Sequence, residues 1–270
     1  LKFVESKTGG TMIITTGYSP IMEIVERAQS LAKRTGCSYA SREKLSITRM
    51  VEHYGDEDIL ILSQDAVRLH RLGMEPMEFH PSMGFVRAKR ILKGEIEPML
   101  VAARMLPGDS VLDCTAGLGA DSLLFAVHGG ESSEVTALES SLPLYALLSE
   151  GMSHYTSGQV KVNEALRRVN VVHSEHLDYL RSQPDRSVDI VYFDPMFRVP
   201  LTGSASISPL RQFANRAALS TESVAEAVRV ARKTVLLKEK ALSGEFERLG
   251  FTELLRSNSK TSYGVIHIDN

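Results

Sequence analysis

The chain predicts an α/β fold: a mostly parallel, doubly wound sheet with a terminal antiparallel hairpin, preceded by a small α+β subdomain. Three observations predict it. From Ser110 onward, the apolar runs SVLDC, EVTALE, VNVVH, VDIVYF and TVLLK alternate with helical patterns, as strands covered on both faces by crossover helices require. The first of these runs passes into a glycine turn, CTAGLGAD, that opens a helix. Before Ser110 the texture differs, with an amphipathic helix and short apolar stretches suited to a smaller unit.

The expected subdomain covers residues 1–94 and the larger domain 95–270. Leu1 stands where a Met is usual, so LKFVESKTGG carries little weight. Ser19 and Pro20 suit the N-cap and first turn of a helix. Ile21, Ile24, Val25, Ala28, Leu31 and Ala32 then recur at helical spacing until Gly36 stops it. DILILSQDAVRLH reads as one or two strands of a small sheet. A helix over 97–106 puts Met99, Leu100, Ala103 and Leu106 on one face and closes at Pro107 and Gly108. SVLDC then leads to a helix from about 121, and EVTALE to one from about 142. VNVVH precedes a helix near 176–182, and VDIVYF precedes one near 221–232. TVLLK and two strands near 252–257 and 263–268 finish the chain. RVPLTGSASISPLRQ, rich in Ser, Gly and Pro, reads as a loop over the carboxyl ends of the strands.

Composition narrows the function classes. A hydrophobic share of 43% suits a globular protein. No run of about 18 apolar residues is long enough for a membrane span, and the first residues lack the order of a signal peptide, so the expected setting is the cytoplasm. Cys37 and Cys114 have neither metal-ligand nor redox-motif spacing and read as reduced thiols. A net charge of −2 means that any nucleic acid must be held by a local basic patch. FVRAKRILKG offers one in Arg87, Lys89, Arg90 and Lys93, with Arg198 and Arg211 flanking the Ser/Gly-rich loop; a merely solvated helix face is the alternative.

The chemistry concentrates at strand ends, where doubly wound sheets bind ligands. Gly117 and Gly119 allow a tight turn and close approach of a ligand to the backbone, although a turn without ligand fits the same residues. Glu139, closing the next strand, can accept two hydrogen bonds from ribose hydroxyls, which implies a nucleoside-containing cofactor. The dinucleotide fingerprint fails, because Ser122 stands at its third position and Asp113 would repel a pyrophosphate. Asp113 and Asp121 instead suit a cationic ligand such as S-adenosylmethionine, although Asp121 also fits as a first-turn acid favourable to the helix dipole. Cys114 reads as a small core residue. His173, Glu175 and His176 lack the companion ligands of a metal site, and no metal is expected.

VDIVYF ends in Asp194, followed by Pro195, Met196 and Phe197. A carboxylate with a proline-fixed backbone carbonyl can orient the N–H groups of an exocyclic amine, whose lone pair is otherwise delocalised into its base. Phe197 can stack on that base, which must be single-stranded or flipped out. A strand-ending turn with two core side chains is the bland alternative.

With DCTAGLGAD, TALES and YFDPMF in that order, the chain resembles the small-subunit ribosomal RNA guanine-N2 methyltransferases, which use S-adenosylmethionine and carry an Asp-Pro-Met-Phe motif. The resemblance covers about residues 59–240, since ILILSQDAVRLHRLG and FVRAKR match that family's leading strands and basic segment. It implies a Rossmann-like methyltransferase fold and a ribosomal RNA or small-subunit partner. It places Asp113, Gly117, Gly119, Ala120 and Asp121 on the methionine and ribose side of the cofactor, and Glu139 and Ser140 on its ribose and adenine. Asp194 falls on the target amine. Ala120 replaces the family's basic residue, Glu175 and His176 replace small hydroxyl residues on the adenine side, and Arg198 replaces a proline. Adenine N6 methylation and a non-catalytic, cofactor-binding RNA module are the competing functions.

Overall fold

The structure, a computed structural model, describes residues 12–195, 208–215, 217–254 and 260–268. It divides into two compact units at Phe79/His80.

The first unit contains β1 (Ile13–Thr16), α1 (Met22–Thr35), β2 (Ser38–Tyr39), α2 (Ile47–Tyr54), β3 (Asp58–Leu62), β4 (Val67–Arg71) and β5 (Met77–Glu78). Its sheet has the order β2-β1-β3-β4-β5. The first three of these strands are parallel and the last two antiparallel additions, over a core that includes Ile13, Met50, Ile59 and Ile61. The expected α1 differs at its start. Ile21 occupies the N-cap in extended conformation and has no side chain able to cap, so Ser19 and Pro20 precede the helix instead of initiating it; Gly36 ends it at φ 70°, as its pattern requires. β1 lies just beyond the opening residues given little weight and is wholly buried.

The second unit begins with α3 (Ser82–Leu92) and α4 (Pro98–Ala102). The sequence assigns α3 to the smaller subdomain, but the division falls before it, and α3 packs on the helix that follows the glycine turn. The expected helix over 97–106 shrinks to α4. Glu97 caps its N-terminus, Arg104 turns to a φ of 53°, and Asp109 takes the Leu106 N–H at 2.8 Å. Next come β6 (Val111–Asp113), α5 (Ala120–Gly129), β7 (Val135–Glu139), α6 (Leu142–His154), α7 (Val160–Arg168), β8 (Val169–His173), α8 (His176–Ser182) and β9 (Val188–Phe193). The chain continues with α9 (Ser208–Phe213), α10 (Thr221–Val230), β10 (Ala231–Lys240), α11 (Glu245–Leu249), β11 (Thr252–Leu254) and β12 (Thr261–His267).

The large sheet has the order β11-β12-β10-β9-β6-β7-β8. β6 to β10 are parallel, and β12 runs antiparallel to both β10 and β11. This is the doubly wound sheet with a closing hairpin that the alternating pattern predicts. Leu112, Leu138, Val191, Phe193, Val235 and Leu237 fill one core against α8, α10 and α11. Successive strands leave β6 in one direction through β7 and β8 and in the other through β9 and β10. The reversal opens a crevice at the carboxyl ends of β6 and β9. Among the described residues no helix is long and apolar enough to cross a membrane.

Candidate active site

The turn after β6 is braced by its own acid. Asp113 is 1% exposed; it accepts the Thr115 N–H at 3.0 Å and the Ser122 hydroxyl at 2.5 Å. Burial raises its carboxyl to about 7, against the opposing pull of those donors. Gly117 and Gly119 both have positive φ, 55° and 71°, yet they do different work. A Cβ at Gly119 would stand 2.0 Å from Met152 Cε and 2.9 Å from Leu148 Cδ1, so this glycine is required by packing against α6. Among the described residues a Cβ at Gly117 would meet only Leu210, at 3.9 Å, so that residue leaves the turn approachable by a ligand.

Glu139 reaches back from the end of β7. Its carboxylate accepts the Gly117 N–H at 3.1 Å and the Ser141 N–H at 2.8 Å, and burial lifts it to about 7 despite these donors. The Ser140 N–H also bears on it, and a carboxylate has about four acceptor positions, so one is left for a hydroxyl donor. Thr115, Gly117, Glu139, Ser140, His176, Asp194 and Pro195 line one cleft, completed by Cys114, Leu138, Ala214, Asn215, Ala217 and Leu219. Burial pushes the Cys114 thiol well up, as expected of a core cysteine.

Asp194 follows β9 directly. Its N–H donates to Thr115 Oγ1 at 2.5 Å, which pins the two strand ends together, and its side chain stays 28% exposed. Behind it lies an ion network that pattern reading did not find. β9 and β10 pair Phe193 with Leu237, so the next residues, Asp194 and Lys238, emerge side by side. Lys238 Nζ donates to Asp194 Oδ2 at 2.7 Å and to Asp121 Oδ2 at 2.8 Å. Asp121 also accepts from Tyr192 Oη at 2.7 Å and from Arg87 Nη1 at 2.6 Å, and Arg87 pairs with Glu97 at 2.7 Å. Burial alone would raise the Asp121 carboxyl, but Lys238 and Arg87 hold it well below the usual range. Burial raises Asp194, with Lys238 opposing.

Several expected site residues also have structural partners. Asp113 and Gly119 brace the turn, and Asp121 joins the ion network behind it. Ala120 lies against α3, where a Cβ on Gly84 would fall 2.8 Å from its carbonyl oxygen; this crowding accounts for the glycine at 84. Glu175 caps α8 through the Leu177 N–H at 2.6 Å and pairs with His176 Nδ1 at 2.9 Å. His176 reaches the cleft, with Nε2 hydrogen bonded to Ser223 Oγ at 3.1 Å and its ring edge-on to Phe193. His173 stacks on Tyr145 instead of joining them. Arg87 is withdrawn from the expected RNA patch, because Glu97 and Asp121 occupy its guanidinium, whereas Lys89, Arg90 and Lys93 are exposed. Phe197 and Arg198 lie outside the described residues.

The donor set fits S-adenosylmethionine. Glu139 offers a hydroxyl acceptor, Gly117 leaves the backbone approachable, and Leu138 and His176 supply a flat, partly apolar wall for a base. Three carboxylates, Glu97, Asp121 and Asp194, face two cations, which leaves the region behind the cleft favourable to a cationic ligand. Fold and site together define an S-adenosylmethionine-dependent methyltransferase. The chain belongs to the family described as "Putative SAM-dependent methyltransferase", whose pattern matches residues 50–241. It is 36% identical over 254 residues to the uncharacterized protein YpiP of Bacillus subtilis (strain 168), covering 94% of this chain and 98% of that one. It is 30% identical over 184 residues to ribosomal RNA small subunit methyltransferase J of Acinetobacter baylyi, covering 66% of this chain and 65% of that one. The fold is shared with a SAM-dependent methyltransferase of Neisseria gonorrhoeae at a TM-score of 0.64 and 19% identity, covering 95% of this chain and 96% of that one.

Proposed function

We propose that the protein methylates an exocyclic amine of a nucleobase, guanine N2 in ribosomal RNA, in the cytoplasm. The observation that carries this reading is Asp194–Pro195, at the end of β9 and lining the same cleft as Gly117 and Glu139. S-adenosylmethionine supplies an electrophilic methyl group on a sulfonium. The protein supplies position. Asp194 Oδ2 is held by Lys238, and Oδ1 has no other partner among the described residues, so it is the acceptor for one N–H of the amine. That hydrogen bond aims the nitrogen lone pair and favours the positive charge that develops on nitrogen. Relatives named ribosomal RNA small subunit methyltransferase J support RNA as the substrate class. Lys89, Arg90 and Lys93 are the proposed phosphate contacts, with Arg198 and the stacking Phe197 as further RNA contacts near Asp194.

The test is methyl transfer from labelled S-adenosylmethionine to total RNA, small ribosomal subunits and DNA, followed by identification of the modified nucleoside. N2-methylguanosine in small-subunit RNA is expected. N6-methyladenine would move the reading to the adenine enzymes, and no transfer to any of the three would remove it.

A further inference from the structure

Lys238 is a costly residue to place where it is. It follows the apolar run Thr234–Leu237, its side chain is only 20% exposed, and burying an ammonium is unfavourable unless it is well paired. It is not among the described residues lining the cleft. Its two partners are unequal. Asp121 is already satisfied by Arg87 and Tyr192 and needs no third donor for its charge. Asp194 has no other cation within an ion-pair distance among the described residues.

We propose that Lys238 is a positioning residue for the reaction: its ammonium, braced against Asp121, keeps the Asp194 carboxylate ionised and turned so that Oδ1 is left for the target amine. This rests on the amine-methylating reading above. The alternative geometry without Lys238 is unfavourable for a definite reason. Asp194 is close to Asp121 on α5, Asp113 on β6, Tyr192 on β9 and Glu239 on β10, with Lys238 and the more remote Arg87 as the opposing cations. Remove the ammonium, and burial together with the Asp121 charge favours the protonated acid. A protonated Asp194 turns from acceptor to donor at one of its oxygens and no longer selects the amine's lone-pair direction. The sign follows: loss of Lys238 moves the Asp194 titration to higher pH, and activity falls first on the acid side.

The test has two arms, one independent of substrate. In the full chain labelled with 13C at aspartate carboxyl carbons, the Asp194 signal, assigned with Asp194→Asn, is titrated by NMR in wild type, Lys238→Met, Lys238→Gln and Lys238→Arg. Both neutral variants are expected to titrate at higher pH than wild type, and Lys238→Arg to stay near it. In the second arm, kcat on unmethylated small ribosomal subunits is measured from pH 6 to 8.5. For Lys238→Gln the kcat at pH 6 should fall at least about tenfold relative to that at pH 8, with KM for S-adenosylmethionine changed less than about twofold. Lys238→Arg should recover the wild-type profile. An Asp194 titration that is the same in wild type and the neutral variants overturns the proposal, as does a kcat loss uniform across pH. If wild type methylates no RNA, the amine reading fails while the carboxyl titration still decides whether Lys238 sets the state of Asp194.

Discussion

The two turn glycines separate folding from binding, and the separation can be measured. Gly119→Ala forces an L-residue into the left-handed region at φ 71°, which costs about 1–2 kcal/mol. It also drives a methyl group into Met152 and Leu148, both buried on α6. The Met152 thioether can swing aside, but a filled core leaves it little room, and overpacking of this kind costs about 1–3 kcal/mol. The expected total is about 2–5 kcal/mol of stability. Gly117→Ala has the same backbone strain, about 1–2 kcal/mol, but among the described residues its new methyl meets nothing nearer than 3.9 Å. Gly117 lines the cleft, where a ligand must approach its peptide. Urea unfolding followed by circular dichroism gives the stability of each variant; the chain has no Trp to report by fluorescence. Calorimetry with S-adenosylmethionine gives affinity. Gly119→Ala should be the less stable variant and Gly117→Ala the weaker binder relative to its fold. The reverse order in both measurements would refute the division of labour read from this turn.

Asp194→Ala should bind S-adenosylmethionine within about threefold of wild type and lose at least about a hundredfold in methyl transfer; turnover at the wild-type rate would remove Asp194 from the mechanism. Charge reversal at Lys89, Arg90 and Lys93 together should weaken RNA binding and flatten its salt dependence without affecting the melting temperature, whereas Arg87→Glu should lower the melting temperature by stranding Asp121 and Glu97. Asp113 and Glu139 are both lifted to about 7 in the folded protein. A raised carboxyl binds more protons folded than unfolded, so the ligand-free protein should lose stability as pH rises from about 5 through 7. Over the same range S-adenosylmethionine should bind more tightly as Glu139 ionises, and Glu139→Gln should flatten that dependence, both readable from melting curves with and without cofactor.

Much of this site is legible along the chain. VDIVYF followed by Asp194 marks a buried strand that delivers an acid, and GLG after SVLDC marks the turn. Glu139 at the end of EVTALE marks the residue that closes on it. Lys238 carried a comparable signal, a lysine ending an apolar strand run, and adjacency of the fourth and fifth strands in a doubly wound sheet would have paired it with Asp194. The pairing of Arg87 is hidden for the opposite reason: it sits in a basic run, and nothing local distinguishes an arginine turned toward solvent from one turned toward two carboxylates. The packing of Gly84 on Ala120 is likewise invisible along the chain.

What the sequence determines by itself is periodic and local: which runs are buried strands, where the turns fall, and that acids stand at three strand ends and one helix start around one crevice. Only the tertiary structure decides how those acids are used. Arg87 meets Asp121 across 34 positions, Lys238 meets Asp194 across 44, and Lys238 meets Asp121 across 117. Those pairings depend on strand order and register and on the packing of α3 against α5, which bring distant residues within 3 Å, and in a buried site a partner at that distance determines whether a carboxylate braces a turn or is left for a substrate.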